Sequence, residues 1–241
     1  MFPFLYIQAA FEGLKKSPIT KHLVIDEMQD YTPIQYTVIN LLFTCPKTIL
    51  GDFGQSLNPH RRHTLSDLRQ IYDGAEYVEL NQSYRSTCEI MTFAKCIGGI
   101  HKLNPIERHG NIPDVTACAD RQEELQMIEK AVRNFPSGNH ATLGIITKTD
   151  REAGELYDAL HLDEQIHLLT PDSTNFKNGV TITSIRMAKG LEFDEVIIPD
   201  TDSRTYGSEY DRSLLYIACT RAMHDLTLLY TGIPSPFIGQ T

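Results

Sequence analysis

Short apolar runs recur along the chain, each set off by polar or turn residues, and longer amphipathic stretches lie between them. The runs Leu23–Ile25, Thr48–Leu50, Tyr77–Leu80, Thr142–Thr147, Val180–Ile185, Val196–Pro199 and Leu226–Tyr230 carry few polar interruptions. That is the pattern of strands covered on both faces. Helix starts fall between them. Thr32-Pro33 reads as an N-cap with proline at the first helical position. Ser86-Thr-Cys-Glu89 reads as a capping box opening a helix to about Ile97, and Asp120 with Glu123 opens another to about Asn134. Further helices are predicted over Asp150–Leu160 and Arg212–Ala222, and the apolar start Met1–Ala10 reads as an internal helix. Strands alternating with helices predict an α/β fold with a parallel sheet.

The stretch Gly98–Pro113, with Gly98, Gly99, Pro105, Gly110 and Pro113, reads as a loop or boundary. Charge changes at the same place. Residues 1–105 hold 10 basic and 10 acidic residues, whereas residues 106–241 hold 12 basic and 21 acidic, so the whole formal charge of −9 lies in the second part. This argues against binding nucleic acid by bulk charge alone, although a narrow groove with local Arg and Lys remains compatible. At 241 residues the chain suggests about one and a half domains. No apolar run approaches the roughly 20 residues that span a bilayer. The five cysteines, Cys45, Cys88, Cys96, Cys118 and Cys219, form no CxxC pair; a disulfide framework or zinc site is not expected, and a reducing, cytoplasmic setting is.

Five stretches carry candidate chemistry. Leu23–Ile25 delivers Asp26 and Glu27 to a strand's carboxyl end, where ligands bind in open α/β sheets. Adjacent acids there suit Mg²⁺ and polarisation of an attacking water; a solvated turn is the plainer alternative. Thr48–Leu50 runs into Gly51-Asp52-Phe-Gly-Gln55-Ser56, a second polar loop in which Gln55 could sense a terminal phosphate. Tyr84 and Arg85 lie just before a helix N-terminus, where anions are favoured; a stacking Tyr and a phosphate-binding Arg compete with a packed Tyr and a surface Arg. In Ser184-Ile-Arg186-Met-Ala-Lys189-Gly190-Leu-Glu192, Gly190 allows close backbone approach, Glu192 could take a ribose hydroxyl, and Arg186 and Lys189 could meet a phosphate backbone. Arg221 closes Tyr216–Ala222, either as a functional cation or as a charge complementing a helix C-terminus. A Mg²⁺-dependent nuclease or phosphatase built on Asp26, Glu27 and Asp52 is also open, but leaves Arg85 and Arg221 without a role.

The blocks DEMQD (26–30), GDFGQS (51–56), SYRS (83–86), AKGLEFD (188–194) and YIACTRA (216–222), in this order, resemble motifs II to VI of the UvrD/Rep/PcrA-like superfamily-one helicases. The resemblance implies a RecA-like fold: residues 1–80 as the C-terminal remnant of a first RecA-like domain, 81–113 as a connecting segment, and 114–241 as a second RecA-like domain. It implies ATP and Mg²⁺ as cofactors. Asp26 would organise Mg²⁺, Glu27 would be the general base with a share in the metal, and Gln55 would contact the γ-phosphate. Tyr84 would stack on adenine, Gly190 and Glu192 would meet the nucleotide, and Arg85 and Arg221 would be arginine fingers. Ser184, Arg186 and Lys189 would face nucleic acid. DNA, single-stranded or duplex, is the implied partner; no membrane is. No GxxxxGKS or GxxxxGKT occurs in the 241 residues, so the missing N-terminal P-loop domain is a further implied partner, and the chain is expected to be inactive alone. Only about 100 residues separate Arg85 from Lys189, too few for the family's large inserted domain, and Leu57-Asn-Pro-His-Arg-Arg62 replaces the usual continuation of motif III. With DEMQDYTPIQ (26–35), ACTRAMH (218–224) and GIPSPF (232–237), these departures look closest to the HelD-like branch, whose members act on RNA polymerase.

Overall fold

A computed structural model describes residues 2–57, 64–99, 104–105, 107–160, 162, 166–173 and 178–238. The segment 58–62, expected to replace the motif III continuation, lies outside the described residues. The chain divides into two compact units, Met1–Glu79 and Leu80–Thr241.

The first unit holds α1 (Phe2–Glu12), β1 (Leu23–Ile25), α2 (Pro33–Leu42), β2 (Lys47–Ile49) and α3 (Leu65–Ile71). β1 and β2 pair in parallel with Leu23 opposite Lys47 and Ile25 opposite Ile49. α2 starts where Thr32-Pro33 predicts. The Thr32 hydroxyl accepts from Gln35 N, and the Gln35 carboxamide oxygen accepts from Thr32 N at 2.7 Å, so two otherwise orphaned donors are satisfied. Ile25, Tyr36 and Leu68 form a small buried core ringed by Leu23, Met28, Ile39, Ile49 and Phe53. The Tyr36 hydroxyl donates to Met28 O at 2.6 Å, which ties α2 to the loop after β1. α1 packs on α2 yet buries no residue fully; Phe4, Ile7 and Phe11 stay exposed, as do Val24 on β1 and Leu50 after β2.

The second unit begins with β3 (Gln82–Ser83), α4 (Cys88–Gly98) and β4 (Asn104–Pro105). It continues through β5 (Asp114–Cys118), α5 (Arg121–Asn134), β6 (Thr142–Thr147), α6 (Asp150–Leu160), β7 (Ile166–Leu168), β8 (Gly179–Ser184), α7 (Ile185–Ala188), β9 (Phe193–Ile198), α8 (Glu209–Cys219) and β10 (Ala222–Thr231). Six of these strands form one parallel sheet in the order β5-β10-β9-β6-β8-β7. β6 is buried along its whole length, as a central parallel strand must be. Ile128 and Val132 of α5 and Ala153, Leu156 and Leu160 of α6 pack on Ile145, Ile182, Ile197 and Leu229. α4, α7 and α8 pack together and against β6, β8, β9 and β10. This is the mixed α/β, RecA-like arrangement.

Several local expectations shift. The strand expected at Tyr77–Leu80 is absent; those residues are irregular, with Val78 and Leu80 exposed. Their apolar alternation imitates a strand but meets no partner strand among the described residues. β5 and β7 escape the apolar-run test because they are the two sheet edges, where one-sided pairing tolerates polar positions such as Asp114, Thr116 and His167. α4 is capped by Thr87, not Ser86; the Ser86 hydroxyl instead donates to Ala222 O at 2.5 Å in the interior. α8 starts three residues earlier than Arg212, at a capping box of Ser208 and Asp211. Residues 107–113 form a loop tied into the second unit: Arg108 donates to Arg85 O, Gly110 N to Glu89, and Asn111 to Asp225.

Candidate functional site

In the first unit, the loops after β1 and β2 are one hydrogen-bonded structure. Leu50 N donates to Ile25 O at 2.8 Å and Met28 N to Leu50 O at 2.9 Å. Gln29, wholly buried, is the bolt between them. Its amide donates to Glu27 Oε2 at 2.5 Å, and its carbonyl accepts from Asp52 N at 3.0 Å. A side chain at Gly51 would bring its Cβ to 2.7 Å from Met28 N, so only glycine lets the two loops approach this closely. Glu27 takes the left-handed conformation, φ 53° and ψ 45°, sparsely populated by non-glycine residues. Asp26 is exposed and accepts from Glu27 N through Oδ1 at 2.8 Å. Asp52 accepts from Gly54 N at 2.8 Å and from the Gln55 amide at 3.0 Å, so Gln55 lies folded on its own loop. Two hard carboxylates presented at a strand's end are the donor chemistry that hydrated Mg²⁺ takes.

In the second unit, the stretches around Arg85, Glu192 and Arg221 meet at the amino end of the sheet. Arg85 Nε lies 2.7 Å from Glu192 Oε1, both partly exposed. Ser86 bonds to Ala222 O, and Phe193 N donates to Arg221 O at 2.9 Å. Tyr84 is 65 % exposed, a free face beside Arg85, with its hydroxyl donating to Gln82. Arg221 is different: 1 % exposed, it donates from Nε to Ile217 O at 3.1 Å, from Nη1 to Leu191 O at 3.3 Å and from Nη2 to Thr220 Oγ1 at 3.1 Å. Its charge complements the C-terminus of α8.

Ser184, Arg186 and Lys189 belong to another place. Ser184 sits at the carboxyl end of β8, buried, capping α7 by accepting from Met187 N at 3.3 Å, and its hydroxyl donates to Asp150. Arg186 is exposed and pairs with Asp150 at 2.7 Å. Lys189 is half-buried at the end of α7, followed by Gly190 at φ +84°. α7 and the residues after it carry the chain back to the amino end, where Glu192 meets Arg85.

A family model of the UvrD-like helicase C-terminal domain matches residues 179–233. The crystal structure of the C-terminal domain of a possible DNA helicase from Lactobacillus plantarum superposes with a TM-score of 0.55 and 32 % identity, over 66 % of this chain and 93 % of that one. The chain belongs to the UvrD-like superfamily-one helicases. Its place is in their C-terminal portion. DNA helicase II of Escherichia coli is 32 % identical over 108 residues, 40 % of this chain and 15 % of that protein. A relative from Acanthamoeba polyphaga mimivirus, named for ATP-dependent DNA helicase activity, is 25 % identical over 88 % of this chain. The chain spans 34 % of that relative's length. No helix among the described residues is long and apolar enough to cross a membrane.

Within the UvrD-like frame the structure adds residues that the motif blocks alone do not single out. Gln29 locks the DEMQD and GDFGQS loops together through Glu27 and Asp52. Its position two residues after Glu27 was the available signal. Arg108 fixes the Arg85 carbonyl at 3.0 Å and comes from a loop that no motif marks.

Proposed function

We propose that the chain is the motor-closing part of a UvrD-like, ATP-driven DNA helicase or translocase. The observation that carries this reading is the knitting of three separate stretches, 83–86, 188–194 and 216–222, into one cluster through Ser86–Ala222, Arg85–Glu192 and Phe193–Arg221. A cluster with an exposed arginine, an exposed tyrosine face and a carboxylate suits the phosphates, base and ribose of a nucleotide. When bound, Mg²⁺ and ATP would supply the phosphoanhydride and the cation that neutralises it. Asp26 and Glu27 would hold the metal, and Glu27 would take a proton from the attacking water. Gln55 would leave Asp52 for the terminal phosphate. Tyr84 would stack on the base, and Gly190 and Glu192 would bound the ribose. Arg85 and, once drawn out of its pocket, Arg221 would stabilise transferred charge. Arg186 and Lys189, with Ser184 positioning their turn, would face the DNA backbone.

A phosphate cradle would be supplied by a P-loop-bearing segment outside these 241 residues. The exposed Phe4, Ile7, Phe11 and Val24 of the first unit would offer it apolar contacts. The test is Mg²⁺-ATP turnover by the chain with and without single-stranded DNA, then with the part of the mimivirus relative that this chain does not span supplied in trans. The chain alone is expected to stay at the level of its Glu27→Gln variant. The mixture is expected to show DNA-stimulated turnover that drops at least about a hundredfold in Glu27→Gln. DNA-stimulated turnover by the chain alone would overturn the missing-cradle reading. A second reading, an RNA polymerase-binding module of the HelD-like branch, rests on the sequence features 26–35, 218–224 and 232–237; co-purification with RNA polymerase in place of DNA-stimulated turnover would select it.

A further inference from the structure

Three neighbouring strands bring a set of acids and imidazoles together at the amino end of the six-stranded sheet. His140 precedes β6, Glu195 lies on β9 and Asp225 on β10. Glu195 and Asp225 are direct register partners, and Glu195 is also the partner of Leu143, three residues after His140. Like charges set directly opposite on adjacent strands destabilise a sheet, so this pair needs a compensating cation. The imidazole of His140 reaches both acids. Its Nδ1 is 2.8 Å from Glu195 Oε1 and 3.7 Å from Asp225 Oδ2. The three ligand atoms lie within 4.8 Å of one another.

The surroundings order this trio. Asn111 donates to Asp225 Oδ1 at 2.8 Å, which leaves Oδ2 turned toward His140. The imidazole of His224 stacks on that of His140 with centroids 4.9 Å apart and an interplanar angle of 18°. Asp194 Oδ2 accepts from Ala141 N, Thr142 N and the Thr142 hydroxyl, and its Oδ1 stands 3.8 Å from His224 Nε2. Arg108 Nη2 stands 2.9 Å from the ring nitrogens of His224. All three members of the trio are part-exposed, at 25 %, 32 % and 34 %, so an ion can reach them.

We infer that His140, Glu195 and Asp225 form a binding site for a divalent transition metal of the zinc class. One imidazole nitrogen and two carboxylate oxygens are a mixed nitrogen and oxygen set, which suits Zn²⁺ and disfavours the all-oxygen preference of Mg²⁺. Ligand atoms about 2.1 Å from a tetrahedral ion stand about 3.4 Å from one another, between the two distances observed. Water completes the shell, and Asn111 holds the Asp225 carboxylate in the orientation a metal ligand needs. The site lies in the second unit, and its existence does not depend on the motor reading.

The test titrates the full chain with Zn²⁺ against a chromophoric chelator, with Mg²⁺ as a control and Co²⁺ as a spectroscopic probe. One equivalent of Zn²⁺ is expected to bind, with no competition from Mg²⁺ at equal concentration. His140→Gln and Asp225→Asn are expected to weaken binding at least tenfold, and Asn111→Ala about tenfold. Thermal melting of the metal-free proteins checks that each variant folds. Glu195→Gln supplies the same reading if either of the first two does not. The Co²⁺ complex is expected to show d–d bands of nitrogen and oxygen ligation. A thiolate charge-transfer band would place the metal on one of the five free cysteines and overturn the inference. So would binding that is not saturable, or equal affinity in folded variants.

Discussion

Arg85 and Arg221 have the same side chain and opposite surroundings, so removing each should read differently. Arg85 makes an exposed pair with Glu192, and exposed pairs contribute about 0–1 kcal/mol. Arg85→Met is therefore expected to leave the melting temperature nearly unchanged while abolishing turnover of the reconstituted motor. Arg221 is buried on main-chain carbonyls. Arg221→Met strands those acceptors and is expected to cost about 3 kcal/mol, read as an earlier denaturant midpoint. Asp200 offers a pH-dependent counterpart. Burial, with the charge of Glu124 and against that of Arg121, raises its pKa from 3.8 to about 6. The folded state then holds this proton more tightly than the unfolded state. Its contribution to stability is fully present below about pH 4 and is lost as pH rises through about 6. Asp200→Asn is expected to flatten melting temperature across that window and raise it above pH 6. Asparagine also tolerates the positive φ of 53° that Asp200 adopts.

At the scale of elements, the sequence was legible wherever one local signal decided the outcome. Thr32-Pro33 and Asp120 mark real N-caps, and β6, buried throughout, and β8, buried beyond Gly179, declare themselves as runs with few charged or exposed interruptions. It was illegible where the decision is made by a distant partner. Ser86 and Thr87 are equally good caps by type, and Ser86 is drawn away only because the Ala222 carbonyl, 136 residues on, needs a donor. Removing each should separate the two roles. Thr87→Ala is expected to cost about 1 kcal/mol by loosening the first turn of α4. Ser86→Ala should cost a similar amount by leaving a buried carbonyl unpaired, and should also disturb Arg85 beside it. Chemical denaturation of both variants, with turnover measured alongside, checks this. The acids and imidazole at 140, 195 and 225 follow the same rule. They carry no short spacing, because segments far apart in the chain are set side by side by the parallel strand order β10-β9-β6. The motif blocks showed Arg85, Glu192 and Arg221 as candidates, but not that Arg85 and Glu192 touch, nor that Arg221 is turned inward.

For the whole molecule, the two units should differ in durability. Among the described residues the first has a two-stranded sheet and a small core around Ile25, Tyr36 and Leu68, with apolar residues on its surface. Two strands alone are marginal in water. The second buries a six-stranded sheet under helices. Limited proteolysis is expected to cut residues 1–80 well before residues 115–235, and equal persistence of both fragments would contradict this. Charge is divided as unevenly as stability, since the entire formal excess of −9 lies in residues 106–241. DNA binding is therefore expected to depend on a few cations and to weaken little with added salt, read as a shallow slope of affinity against salt concentration.

Arg221, its Nε held on the Ile217 carbonyl, is also a built-in reporter. An Nε proton held on a carbonyl out of solvent trades slowly with deuterated water, so in a nitrogen-15 spectrum that resonance should outlast those of the other arginines. Its lifetime would measure how often the end of α8 opens. A partner that draws the guanidinium outward would erase the signal at a single, assigned atom, giving a clock for the engagement of the chain that needs no dye and no substrate.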